Sequence, residues 1–389
     1  MLHLRLTLGC LLVCLFAGHA APPPPLYYNT SSATLPLNTL DAAATNGSGN
    51  TVLFTATGVD FNKVNRCTAV AVDGLNGNLF LIDIAASAIW SVNLDGSGLA
   101  LVKGGLTNYP TDLALDVLNQ KIYYTTSSSI TNNNTIQRMD YTGNNNTTLF
   151  TATGSSGNGV SRCTAIAIDL ANSKMFIADA GTQKIWSLSL AGTGLTALAT
   201  ATNAIPTGLA LDTANQQVYF TVSSPVQSSN LIQRVNYNGS GLITRFTASG
   251  SVQRCTALDL DLAHTTIYLS DAGASTLWRI PLSGGSATSV LGGLTATAKK
   301  VRWFSGPNSR PSPGINGFFL AGTNATINAT NGYIGGTYYL LTSTNLAKPF
   351  SQWTPVGTNV LGASGNFSLT ATNGYSSKVP QQFFLLRVQ

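Results

Sequence analysis

Three arginines stand at matching places in the chain: Arg66, Arg162 and Arg254, 96 and 92 residues apart. Each opens the octapeptide Arg-Cys-Thr-Ala-φ-x-φ-Asp, where φ is apolar. Guanidinium binds carboxylate or phosphate in a forked geometry, and like charges converging on one opening strengthen the local field. The trio is therefore the candidate ligand-binding set, for an anionic ligand or an acidic protein segment. A structural use is the competing reading, with each Arg bracing a neighbouring unit through carbonyls or through Asp83, Asp179 or Asp271. Trp90, Trp186 and Trp278 recur in the same rhythm and serve either inter-unit packing or stacking on sugars.

Enzyme chemistry finds little to work with. His3 and His19 lie in the leader described below, which leaves His264, expected as a turn or surface residue. No Ser-His-Asp set, Gly-x-Ser-x-Gly elbow or zinc spacing is evident. No catalytic residue, metal ligand or cofactor is assigned. Asp73, Asp116, Asp169, Asp212 and Asp261 close equivalent segments, as expected for turn-locking hydrogen bonds. Asp112 and Asp259 break the repeat by placing carboxylates where Ala or Gly stands elsewhere. They are either polar lining or a cation-holding pair. Cys67, Cys163 and Cys255 also occupy repeat-equivalent positions, and three thiols cannot all pair within one chain.

The scaffold holding these residues is repetitive. Between the Arg-Cys units lie related ones, Pro110 to Asp116 and Pro206 to Asp212, giving a period of about 45 residues in two alternating types. Each unit reads as short strands split by Gly/Asn turns, the signature of propeller blades. Composition agrees: all 14 acids are Asp, and only 9% of residues are charged. Asp and Asn favour turns, whereas the absent Glu favours helices. The fold class is all-β.

The stretch Asp112-Leu113-Ala114-Leu115-Asp116 through Lys121-Ile122-Tyr123-Tyr124-Thr125-Thr126 resembles the inner strands of the YWTD class of six-bladed β-propeller, found in lipoprotein-receptor ectodomains. Ile89-Trp90-Ser91-Val92 with Asp95-Gly96-Ser97-Gly98 resembles that family's third strand and turn. The namesake tetrapeptide is degenerate: Phe80-Leu81-Ile82-Asp83, Phe176-Ile177-Ala178-Asp179 and Tyr268-Leu269-Ser270-Asp271. NHL-related propellers are similar too. The resemblance covers 26–304 and implies that each Arg sits at one mouth of a central channel. Gluconolactonase-type propellers, also similar, bind a channel calcium through a Glu, and this chain has none.

Five units are complete. The sixth is split: Leu26 to Ser32 matches Ile122 to Ser128, and Asn50 to Gly58 matches Asn146 to Gly154. Ala298 to Phe304 falls where the missing first strand belongs. The ends of the ring are therefore expected to zip into one shared sheet, leaving no open edge. Three Arg on alternate blades would then ring one opening.

Residues 1–20 read as a secretory signal peptide cut after Ala20, and no membrane span is expected in the mature chain. Residues 305–317 read as a Pro/Gly linker, and 318–389 as a small β module. Tyr339-Leu340-Leu341-Thr342-Ser343-Thr344-Asn345 and the Pro380-Gln381-Gln382-Phe383-Phe384 ending resemble a C-terminal module of exported proteins from verrucomicrobial-type bacteria. The formal charge is +6, but the basic residues are scattered and make no nucleic-acid stripe. The expected role is a non-enzymatic binding or scaffold propeller, secreted, periplasmic or at the cell surface. The alternatives are a lactonase-like hydrolase or lyase, or a surface protein anchored through its C-terminal module.

Overall fold

The computed structural model describes residues 10–12, 26–33, 37–58, 64–74, 76–130, 133–154, 156–201, 204–304, 314–330, 337–345, 347–348, 352–360, 366–376, 378–379 and 381–388. Among them there is no α-helix. Most of the expected leader, and the expected linker at 305–313, lie outside the described residues.

The chain forms two compact units. The larger, Pro23–Gly306, holds six four-stranded antiparallel sheets. Each is a meander whose innermost strand follows the apolar alternation read above. These strands are Cys67–Asp73, Tyr109–Asp116, Cys163–Asp169, Ile205–Asp212, Cys255–Asp261 and Thr297–Trp303; the sheets are numbered one to six in this order. Each inner strand neighbours the next, and that of the sixth sheet returns to that of the first.

The sixth sheet joins the two ends of the unit. Thr297–Trp303 pairs with Leu26–Ser31, Tyr27 facing Arg302 and Tyr28 facing Val301. Thr39–Ala43 and Thr51–Thr55 complete it. Phe304 then packs on Tyr27, ring centroids 6.3 Å apart. It fills the space beside Gly74, where a Cβ would lie 1.9 Å from the Phe304 ring. The other full sheets carry Val117, Leu170, Thr213 and Leu262 at that place.

Apolar clusters lie between sheets. Phe176 and Ala178 of the third meet Val218 and Phe220 of the fourth. Trp90, Trp186 and Trp278 are nearly buried in such clusters and pack sheets together; Trp278 also lines a cavity of about 440 Å³ with Arg245 and Phe246.

The smaller unit contains two sheets. One orders Gly314–Ala321, Asn324–Thr330 and Phe367–Ala371; the other pairs Thr337–Ser343 with Thr354–Val360 and with Gln382–Val388. Cys10–Leu12, within the expected leader, pairs in parallel with the Gln382–Val388 edge. The first strand begins at Gly314, so residues 314–317 belong to the module's sheet and not to a linker. Asn324–Thr330 is a strand the sequence reading did not anticipate; its Ala and Ile are buried, alternating with half-buried Asn and Thr.

Candidate functional site

The inner strands share one irregularity. In every sheet the pairing with the second strand slips by one residue near the start of the inner strand. The skipped residues are Thr68, Thr111, Thr164, Thr207, Thr256 and Lys299. A bulge bends its strand and re-aims the side chain it carries. Here it turns hydroxyls toward the next sheet. Thr111 Oγ1 stands 3.2 Å from the Cys163 carbonyl, Thr164 Oγ1 3.0 Å from that of Pro206, and Thr256 Oγ1 3.4 Å from that of Ala298. In the sixth sheet the latch has moved: Asn29 Nδ2 donates to the Cys67 carbonyl at 2.8 Å. The bulge position there holds Lys299, which needs no latching role.

Each of the three arginines precedes its bulge threonine by two residues, at the same end of the inner strands. Their backbones are fixed by the carboxylates once considered as partners for their side chains. Asp83 accepts the N–H of Asn65 at 2.7 Å and of Arg66 at 3.0 Å. Asp179 does the same for Ser161 and Arg162, and Asp271 for Gln253 and Arg254. The same three aspartates also cap the turn that follows them. None of the three guanidinium groups lies within ion-pair distance of a carboxylate among the described residues. Arg254 Nε donates to Ser223 Oγ of the preceding sheet at 3.2 Å, a brace in one case of three. Arg66 Nε is buried without a hydrogen-bond partner, and Arg162 is exposed.

Lys299 was not singled out in the sequence. Partial burial and repulsion from Arg254 and Arg66 push its ammonium below the usual lysine range. The signal was available: Lys299 breaks a run of five threonines, but only the bulge reveals that the six positions are equivalent.

Deeper in, the inner strands carry two tiers of mostly small side chains. The first holds Ala69, Asp112, Ala165, Gly208, Ala257 and Lys300; the second Ala71, Ala114, Ala167, Ala210, Asp259 and Arg302. Of the four exceptions, Asp112, Lys300 and Arg302 gather together. Lys300 Nζ donates to Asp112 Oδ2 at 2.7 Å, joined there by the Ile166 N–H at 3.1 Å. Arg302 Nη2 lies 4.0 Å from Asp112 Oδ1 and its Nε donates to the Val70 carbonyl at 3.1 Å. Asp259 accepts the N–H of Trp303 at 2.9 Å and of Leu260 at 3.0 Å. Burial raises the Asp259 carboxyl above its ordinary value and lowers the Lys300 ammonium. Protein donors therefore already engage Asp112 Oδ2 and both oxygens of Asp259, while Asp112 Oδ1 is buried without a hydrogen bond. Beyond this plug, toward the other end of the strands, lies a cavity of about 350 Å³ lined by Val72, Leu115, Ile168, Leu211 and Trp303.

The remaining candidates are structural. His264 donates its N–H to Asp261 Oδ1 and sets Nδ1 2.8 Å from Oδ2, in an exposed turn. Cys67, Cys163 and Cys255 are free and buried. Burial pushes each thiol up, that of Cys255 to about 12, which suppresses the reactive thiolate. Among the described residues no helix is long and apolar enough to cross a membrane.

No family model matches the chain, and no curated protein matches it. Solved structures do. A chain from a nidogen–laminin complex superposes with TM-score 0.58 at 15% identity, covering 71% of this chain and 96% of that one. TolB from Acinetobacter baumannii gives 0.56 at 10%, covering 72% and 66%. A putative TolB from Agrobacterium tumefaciens gives 0.53 at 11%, covering 72% and 99%. The fold is a β-propeller. At these identities the likeness extends to the fold and no further.

Proposed function

We propose that the chain is an exported, closed six-bladed propeller that binds or scaffolds without catalysis. It takes an anionic ligand or an acidic segment of a protein partner at the entrance marked by Arg66, Arg162 and Arg254. One observation carries this reading: three guanidinium groups on alternate sheets share one end of the inner strands, and none has a carboxylate partner among the described residues. The nearby aspartates hold backbone N–H groups instead. That division frees the side-chain charges for something outside the chain. The fold's occurrence in a nidogen–laminin complex supports a partner-binding use.

The test replaces all three arginines by glutamine and follows binding of citrate and of an aspartate-rich peptide by calorimetry at low and high salt. The expected result is a folded triple variant that has lost salt-sensitive anion binding. Unfolding on single replacement, or unchanged binding in the triple variant, overturns the reading.

A further inference from the structure

The six bulge positions are five threonines and one lysine, and the exception is built in. A threonine at 299 would repeat the inter-sheet latch, but Asn29 already makes that bond to the Cys67 carbonyl. The substitution thus releases a side chain at the entrance without opening the seam between the sixth and first sheets. The released group is an ammonium. It stands on the sheet between the fifth and the first, which carry Arg254 and Arg66 at their entrances. Partial burial first, and then repulsion from Arg254 and Arg66, lowers the Lys299 ammonium below its ordinary range. None of the three has an ion pair among the described residues, so their mutual repulsion opposes stability, and burial of one adds to that penalty. Arg162, on the third sheet, lies opposite this group and leaves the charge lopsided.

We propose that Lys299 joins Arg66 and Arg254 in a site for a multiply charged oxyanion, a phosphate or sulfate group on the ligand. Guanidinium supplies paired donors in a plane, and ammonium supplies a point charge with three donors. A tetrahedral dianion can use all three at once, whereas a single carboxylate offers two oxygens and one charge. The inference rests on the anion-binding reading above and gives that site its chemical class.

The experiment titrates the full chain with inorganic phosphate, sulfate and citrate at constant ionic strength, by calorimetry and by thermal melting. It compares wild type with Lys299→Thr and Lys299→Met. The expected result is phosphate or sulfate binding that raises the melting temperature. Affinity falls about tenfold in both variants, the loss expected for one charged hydrogen bond. Without anion, both variants melt at or above the wild-type temperature, since a like charge has been removed. A lysine serving the scaffold alone would give the opposite: lower melting without anion and unchanged phosphate affinity, which overturns the proposal. Citrate binding to wild type with no binding of phosphate or sulfate leaves the anion reading standing and refutes the oxyanion site with Lys299. Absence of binding by all three anions refutes both.

Discussion

An aspartate closes each complete inner strand, and in four of the five the residue three places on is asparagine. Asp73 accepts the Asn76 backbone N–H at 2.9 Å on one oxygen and its side-chain amide at 2.7 Å on the other. Asp116, Asp169 and Asp212 repeat the arrangement. His264 is the fifth member, its ring nitrogen standing where the amide nitrogen stands elsewhere. The repeat alone assigns these five aspartates their role, and it accounts for the place of His264. Asp41 illustrates what the repeat hides. It faces Tyr28 across the strand pair, where the sister sheets place Gln137 and Gln233 opposite Tyr124 and Phe220. Burial raises its carboxyl to about 6, with Thr39 donating a hydrogen bond that partly offsets the shift. The folded state therefore holds this proton more tightly than the unfolded chain does. The associated stability is complete below the ordinary carboxylate range and lost as pH rises through about 6. Replacing Asp41 by Gln, the sister residue, is expected to stabilise the protein at pH 7.5 by on the order of 1–3 kcal/mol. At pH 4 the gain should vanish. Urea denaturation at the two pH values measures the difference; a gain independent of pH refutes the assignment.

The elements divide by how much apolar patterning each displays. Inner and second strands carry alternating or continuous apolar runs and were readable to within two residues. The fourth strands Ala100–Lys103, Thr196–Thr200 and Thr288–Leu291 were not named in advance. They are four or five residues long and mostly exposed, so the outer sheet edge has little core-facing pattern to betray it. The bulges were equally invisible, because a one-residue slip changes pairing and not composition. What the sequence did show was the split sheet, through matching segments at its two ends. Gly74 and Phe304 are the physical mark of that joint. A side chain at 74 and the ring at 304 compete for one space. Replacing Gly74 by Val, the residue at position 117 in the second sheet, should destabilise the protein by about 1–3 kcal/mol through overpacking. Removing the ring by Phe304→Ala should cost about 3–5 kcal/mol. The double variant should lose less than the two singles added together, because valine then fills space the ring vacates. Strict additivity in denaturant-derived free energies argues against direct contact at the joint.

Over the larger unit, sheets of two sequence types alternate, and the charges on the inner strands break that alternation. Four ionisable groups stand among small side chains in the two tiers: Asp112, Asp259, Lys300 and Arg302. Both cations come from the sixth sheet, where the two ends of the larger unit meet, so the closing strand alone supplies the positive half of the plug. Lys300 reaches past the first sheet to Asp112 on the second, and Arg302 bonds the carbonyl of Val70 on the first. The Lys300–Asp112 bond skips the first sheet and so opposes separation of the sixth sheet from the second. Such a buried pair is a poor source of net stability, since desolvation offsets the attraction, but losing one partner strands the other charge. Asp112→Ala or Lys300→Ala should therefore each cost about 3–5 kcal/mol. The combined Asp112→Ala, Lys300→Met variant replaces the pair with a residue type found in the same tier and an apolar chain long enough to fill the gap. It should lie close to wild type, giving a coupling energy well above the few tenths expected of independent sites. If cooperative unfolding splits into two transitions in that variant while the midpoint stays high, the pair's contribution is to hold the ring together as one unit. If the singles are mild and additive, the plug is filler and the ring closes on its apolar seams alone.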